Sequence, residues 1–258
     1  MRNTLVLLYG FIAYIVFLLT FLYAIGFVGD FLVPRTIDRP PQDAAAMPLA
    51  WIVDVALLGL FAVQHSAMAR RGFKDWLTRW LPAPIERSTY VLVTSLVLIL
   101  LFWQWRPLPG VIWDVGAGGA WWMLLYALFA LGWLLVLAGT FVINHFDLFG
   151  LRQVWFAARS HEYPAVEFKE GWFYRLVRHP LMLGFIVAFW ATPRMSTGHL
   201  LFAVATTGYI LIAVRFLEER DLVAMHGETY RDYQRRVPML CPWPRPRHTP
   251  TRPMAQVE

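Results

Sequence analysis

The sequence predicts an all-α, polytopic membrane protein of about five or six transmembrane helices, ending in a helical hairpin. Three observations carry that prediction. Hydrophobic residues make up 58% of the 258 positions and charged residues only 16%, whereas globular domains run nearer a quarter charged. Apolar runs long enough to cross a bilayer, which takes about 20 residues, recur along the chain. The basic residues also divide unevenly between alternate connecting segments.

The first run, residues 5–28, exceeds the apolar core of a signal peptide, about 7–15 residues. The small residues Ala44-Ala45-Ala46 lie too far downstream to be its cleavage site, so the run reads as a retained span. Spans two to four are expected at residues 49–69, 89–105 and 120–143. The last apolar region is broken. Residues 181–192 are too few for a full span, 193–198 contain Pro193 and Gly198 and should turn, and 200–217 return. From Val237 onward six prolines stop any helix. The start of this tail is expected to fold back and its end to be disordered. The whole chain, 1–258, reads as one domain: spans and loops to 177, a hairpin over 178–240, and a proline-rich tail over 241–258.

Six crossings put both termini on one side. All but four of the 23 lysines and arginines fall in segments on that side, the exceptions being Arg35, Arg39, Arg106 and Arg194. The positive-inside rule therefore places both termini, and the 144–180 segment, on the cytoplasmic face of the inner membrane. The net charge of +6 then reports topology against membrane lipid, and no nucleic-acid partner is expected. One cysteine, Cys241, excludes an intrachain disulfide and a cysteine-based metal cluster. The seven histidines lack HExxH or HxH spacing, so no metal site is expected. Gly116-Ala117-Gly118-Gly119 is loosely like a nucleotide-binding loop, but no strand is predicted before it and it falls on the outer side.

Four polar clusters should reach the cytoplasmic side: Gln64-His65-Ser66, Glu86-Arg87, Asn144-His145-Phe146-Asp147, and the pair Arg178-His179 with Glu218-Glu219. Ionisable groups at the membrane boundary are expensive and mark a functional site. His65 also suits a simple cap, and Glu86-Arg87 a helix-start pair. His145 and Asp147 do not share a helical face, although in a turn both can face one site. Arg215 and Glu219 are spaced as an i,i+4 ion pair, which leaves Glu218 as the freer ligand.

These residues resemble the membrane-embedded methyltransferases that include isoprenylcysteine carboxyl methyltransferases and bacterial phospholipid N-methyltransferases. That family carries R-H-P-x-x-x-G, matched by Arg178-His179-Pro180 to Gly184, then an acidic pair and G-x-x-Y-x-x-Y, matched by Glu218-Glu219 and Gly227 to Tyr233. Met182 replaces the family's tyrosine. Over nearly the whole length, Gln64 to Arg70, Glu86 to Tyr90 and Asn144 to Gln153 are similar to the bacterial methanethiol S-methyltransferases, and NnrU-type proteins share parts of the pattern.

The resemblance implies S-adenosylmethionine held by Arg178, His179 and the backbone at Leu183-Gly184 from one side, and by Glu218 or Glu219 from the other. It also implies Tyr163, His226 and Tyr230 as adenine or lid contacts, and a small thiol, methanethiol, as acceptor. A thiol is a weak acid, so a base is useful: Asp147, His145 or the pair, with His65 in reserve. Rival readings are methylation of a lipid or prenyl-cysteine carboxylate, a nicotinamide-dependent membrane reductase, and a transporter or haem-binding membrane protein.

Overall fold

A helix satisfies its own backbone hydrogen bonds, which is what a bilayer demands of a spanning segment. The computed structural model describes residues 2–40, 47–164 and 172–242. In order they form α1 (Arg2–Gly29), α2 (Met47–Ala69), α3 (Arg71–Leu77), α4 (Glu86–Gln104), β1 (Val111–Asp114), α5 (Ala120–Ile143), α6 (His145–Leu148) and α7 (Leu151–Ala158). Then come α8 (Pro180–Trp190), β2 (Arg194–Ser196), α9 (Thr197–Ala213), a π turn (Val214–Glu218), α10 (Glu219–His226) and α11 (Glu228–Arg236). Among the described residues five helical stretches are long and apolar enough to cross a membrane. Leu8, Phe11 and Leu19 on α1 and Leu131 and Leu134 on α5 point outward. A surface this apolar is a liability in water and suits a lipid solvent. The protein is an integral membrane protein.

α8 is the exception. Its 11 residues rise about 16 Å at 1.5 Å per residue, about half of a 30 Å hydrocarbon core. The extended chain after it reaches a two-stranded sheet, where β2 pairs antiparallel with β1, Val111 opposite Ser196 and Asp114 opposite Arg194. Two expectations are corrected here. The segment 193–198 contains a strand as well as a turn, because Val111–Asp114 offers it an open edge. A strand also precedes Gly116, although a two-stranded antiparallel ribbon is not a nucleotide-binding βαβ unit.

α8 lies against α5 at a crossing of small residues. A Cβ on Gly132 would stand 2.7 Å from the Ala188 nitrogen, and one on Gly184 2.7 Å from the Gly132 carbonyl. Small residues permit this close approach in a membrane, where packing drives helix association. Gly132→Leu should force the pair apart, at about 1–3 kcal/mol or more. Its thermal midpoint in detergent is expected to fall, whereas Gly59→Leu, which meets nothing within 4 Å, should leave it unchanged.

At the sheet end a buried ion pair ties the chain after α1 to the hairpin. Asp38 Oδ2 lies 2.7 Å from His199 Nδ1, and Asp38 Oδ1 accepts from the Ser196 amide at 2.7 Å. His199 Nε2 faces the Phe189 carbonyl at 2.9 Å. The imidazole thus bridges a carboxylate and a backbone carbonyl. A cavity of about 320 Å³ opens nearby among Asp30, Asp114, Trp122, Tyr126 and Arg194. None of the residues expected to bind a cofactor lines it.

The opposite end is closed by the start of the tail. The Arg178 and His179 amides bond the carbonyls of Pro238 and Met239 at 2.9 and 3.1 Å, and Leu240 packs with Ile210 and Val214. The expected disorder after residue 242 lies outside the described residues.

Candidate functional site

The site begins with the widened turn. Between Val214 and Glu218 the helix passes into π geometry, and the Glu219 amide bonds the Val214 carbonyl. One extra residue in that turn shifts the helical phase, so the expected Arg215–Glu219 pair does not form. Glu219 meets Arg178 instead, at 2.6 Å. Such π bulges occur frequently at functional sites.

Glu219 is fully engaged. Its Oε1 accepts from Arg178 and stands 3.2 Å from His179 Nε2, while Oε2 accepts from Gln234 at 3.0 Å. Arg178 spends its remaining reach on the carbonyls of Gln234 and Val237. It is therefore a clasp across the tail, with its nitrogens already committed. His179 Nδ1 stands 3.4 Å from Glu218 Oε2. Burial opposes a charge on His179, but hydrogen bonds and charges from Glu218 and Glu219 outweigh it and raise its pKa above the ordinary value. Glu218 keeps a 38% exposed side chain, so it is the carboxylate with a face open to a ligand.

Around Glu218 stand aromatic groups from four other segments. Tyr174 feels it: burial first, then the Glu218 charge, pushes that phenol up to about 12. His65, Tyr90 and Tyr209 also lie within its electrostatic reach. The Tyr90 hydroxyl is 3.0 and 2.9 Å from the two nitrogens of His65. An oxygen equidistant from both cannot lie along the lone pair of either, so it sits over the ring. Phe61 stacks on the imidazole at 5.2 Å. His65 is thus flanked by the Tyr90 hydroxyl and the Phe61 ring. Tyr209 is fixed by Ser66 at 2.9 Å, and Arg87 lies 5.1 Å over the Tyr90 ring while donating to the Leu148 carbonyl.

His145 and Asp147 face different partners. His145 is buried between the Tyr14 hydroxyl at Nε2 and Thr140 Oγ1 at Nδ1, both 2.8 Å away, and stacks on Phe141. Thr140 donates to the Leu137 carbonyl, so it accepts from Nδ1–H and Tyr14 donates to Nε2. Burial lowers the His145 pKa, in keeping with that neutral tautomer. Asp147 accepts from Arg152 at 2.7 Å and from Tyr163 at 2.6 Å. Burial, then this hydrogen bond, pushes the Tyr163 phenol up to about 12.

Of the other expected residues, Gly184 sits in the crossing with α5 and Leu183 in the apolar cluster with Ile210 and Val214. Tyr230 is buried beside Tyr233 at 5.7 Å, and His226 ends α10. Burial first, and then the charge of Glu219, raise the Tyr230 pKa. Among the described residues no group of three or more His, Cys, Asp or Glu is placed to hold a metal. Sequence reasoning passed over Phe61, Tyr90, Tyr174 and Tyr209. Tyr90 stood within a quoted motif, but an aromatic residue inside an apolar run carries no mark of its partner.

Fold and site together define a polytopic membrane protein with a charged bracket at one end of its helices, facing a box of aromatic rings. The chain belongs to the NnrU family, whose profile, NnrU protein, matches residues 54–237. It is 59% identical over 251 residues to the methanethiol S-methyltransferase of Mycobacterium tuberculosis, covering 96% of this chain and 100% of that one. It is 52% identical over 247 residues to that of Crocosphaera subtropica, covering 94% of each. Nurim of Sus scrofa is 33% identical over 199 residues, 74% of each chain. No solved structure matches.

Proposed function

We propose that the protein transfers a methyl group from S-adenosylmethionine to methanethiol, giving dimethyl sulfide, at the cytoplasmic face of the membrane. The observation that carries this reading is the placement of Glu218, which joins the His179 bracket to the rings around His65. The relatives' names support the reaction, and the basic-residue asymmetry supports the orientation.

The donor set fits the cofactor. A cation beside aromatic faces is attracted by their quadrupoles, and an open carboxylate among Tyr90, Tyr174 and Tyr209 suits the sulfonium and ammonium groups. Arg87 suits the cofactor's carboxylate better than Arg178, whose nitrogens are committed. S-adenosylmethionine bound there would supply an electrophilic methyl group, with its own sulfur as the leaving group. His65 takes the thiol proton, so that a thiolate, the effective nucleophile, faces that methyl. His179, fixed by Glu219, orients Glu218. Asp147, tied to Arg152 and Tyr163, secures the segment after α5. Alignment of donor and acceptor at about 3–3.5 Å supplies much of the acceleration.

Purified protein incubated with S-adenosylmethionine and methanethiol should release dimethyl sulfide into the headspace. His65→Ala should lower turnover by about 10²–10⁴-fold with cofactor binding kept, and Glu218→Gln should weaken cofactor binding. Full turnover in His65→Ala, with loss in Asp147→Asn, would transfer the base to Asp147. No sulfide from the wild type would refute the reading.

A further inference from the structure

The methyl-transfer reading leaves open what limits the acceptor, and the rings beside His65 address that. Phe61 and His65 are four residues apart on α2, on one face of the helix, and stack at 5.2 Å with their planes 25° apart. α2 runs toward the site end, so Phe61 lies one turn deeper in the membrane than the imidazole. From α9, Tyr209 meets Phe61 edge to face at 6.0 Å and His65 at 6.4 Å. Tyr209 cannot drift, because its hydroxyl is held by Ser66 at 2.9 Å. Tyr90 stands 5.2 Å from His65 as a further wall. The imidazole therefore has a charged cytoplasmic side toward Glu218 and the Phe61 ring as a floor on its membrane side, with Tyr209 set against both rings.

We infer that Phe61, buttressed by Tyr209, is the specificity-determining residue for the acceptor. It closes the space beneath His65 so that a sulfur bearing hydrogen or one carbon fits, while a longer alkyl chain runs into the Phe61 ring. The same floor lies on the way in for a thiol dissolved in the bilayer, so that shape selection occurs before the proton is removed. This inference rests on the proposed thiol methylation with His65 as base. It adds the side chain that enforces the size limit on the acceptor.

An added methylene at a close-fitting apolar wall changes relative kcat/KM by about 10–200-fold, and removing the wall should return that discrimination. The experiment compares wild type, Phe61→Leu and Phe61→Ala with S-adenosylmethionine and either methanethiol or 1-propanethiol, measuring dimethyl sulfide and methyl propyl sulfide in the headspace. The wild type should strongly prefer methanethiol. Phe61→Ala should narrow the kcat/KM ratio by at least about 10-fold, mainly through a gain on propanethiol, and Phe61→Leu should fall between. Should Phe61→Ala not fold, the intermediate ratio of Phe61→Leu carries the test. A ratio unchanged in whichever variants fold, with both rates moving together, overturns the inference and leaves the methyltransferase reading intact. A wild type that methylates neither thiol removes both.

Discussion

Glu219→Ala is expected to cost about 3–5 kcal/mol of stability, the range for removing one partner of a buried ion pair, and to abolish the proposed binding of S-adenosylmethionine. Glu219 is 3% exposed and is the shared acceptor for Arg178, His179 and Gln234. Without it two cationic side chains remain buried with only Glu218 to answer them, and the strap from Val237 to Leu240 loses the arginine that fastens it. The effect should depend on pH. The folded pKa of His179 is raised, so its pairing contributes fully below its ordinary value of about 6.5 and is lost as pH rises through the folded value. The stability difference between wild type and Glu219→Ala should accordingly be largest in mild acid and shrink toward alkaline pH, leaving the Arg178 component. Denaturation in detergent across that range measures it, and a pH-independent difference would remove His179 from the bracket.

A comparable loss is expected at the other end of the molecule without damage to the chemistry. Asp38→Ala strands the imidazole of His199, which is completely buried, and should also cost about 3–5 kcal/mol. The double variant Asp38→Ala/His199→Leu should recover part of that, since replacing a whole buried pair with apolar groups is often near neutral. A double-mutant cycle read by unfolding separates the pairing from packing. A single-variant cost below about 0.5 kcal/mol, the range of ordinary surface substitutions, would mean that the Asp38–His199 contact does not hold this end together. Because Asp38 and His199 lie at the sheet end, protein that stays folded should keep its rate of methyl transfer.

How much of this the sequence disclosed depends on the range of the interaction. The long helices followed from apolar length alone, and α5 was placed to the residue, because a bilayer imposes a simple rule on composition. The acidic pair and Arg178-His179 announced themselves as charges in apolar surroundings. Phase was less legible. Spacing paired Arg215 with Glu219, and only the widened turn explains why Arg178 takes that partner. Arg178 and Glu219 lie 41 positions apart, Asp38 and His199 lie 161 apart, and no local pattern encodes such partners. The β1–β2 ribbon escaped notice because a four-residue and a three-residue strand give too few alternations to register. The aromatic box was hidden for a different reason: rings are common throughout the spans, and only distance distinguishes those beside His65 and Glu218.

The π turn also bears on how proteins built on this plan can differ in length. Removing one residue from the regular stretch 198–213 would swing everything after it by about 100°, taking Glu218 and Glu219 off His179, whereas the π turn takes up its extra residue without that rotation. The Gly116–Gly119 link has open space around its glycines, and doubling a flexible link costs only about 0.6 kcal/mol. Insertions and deletions should therefore accumulate at the sheet end and be purged from the hairpin's second arm.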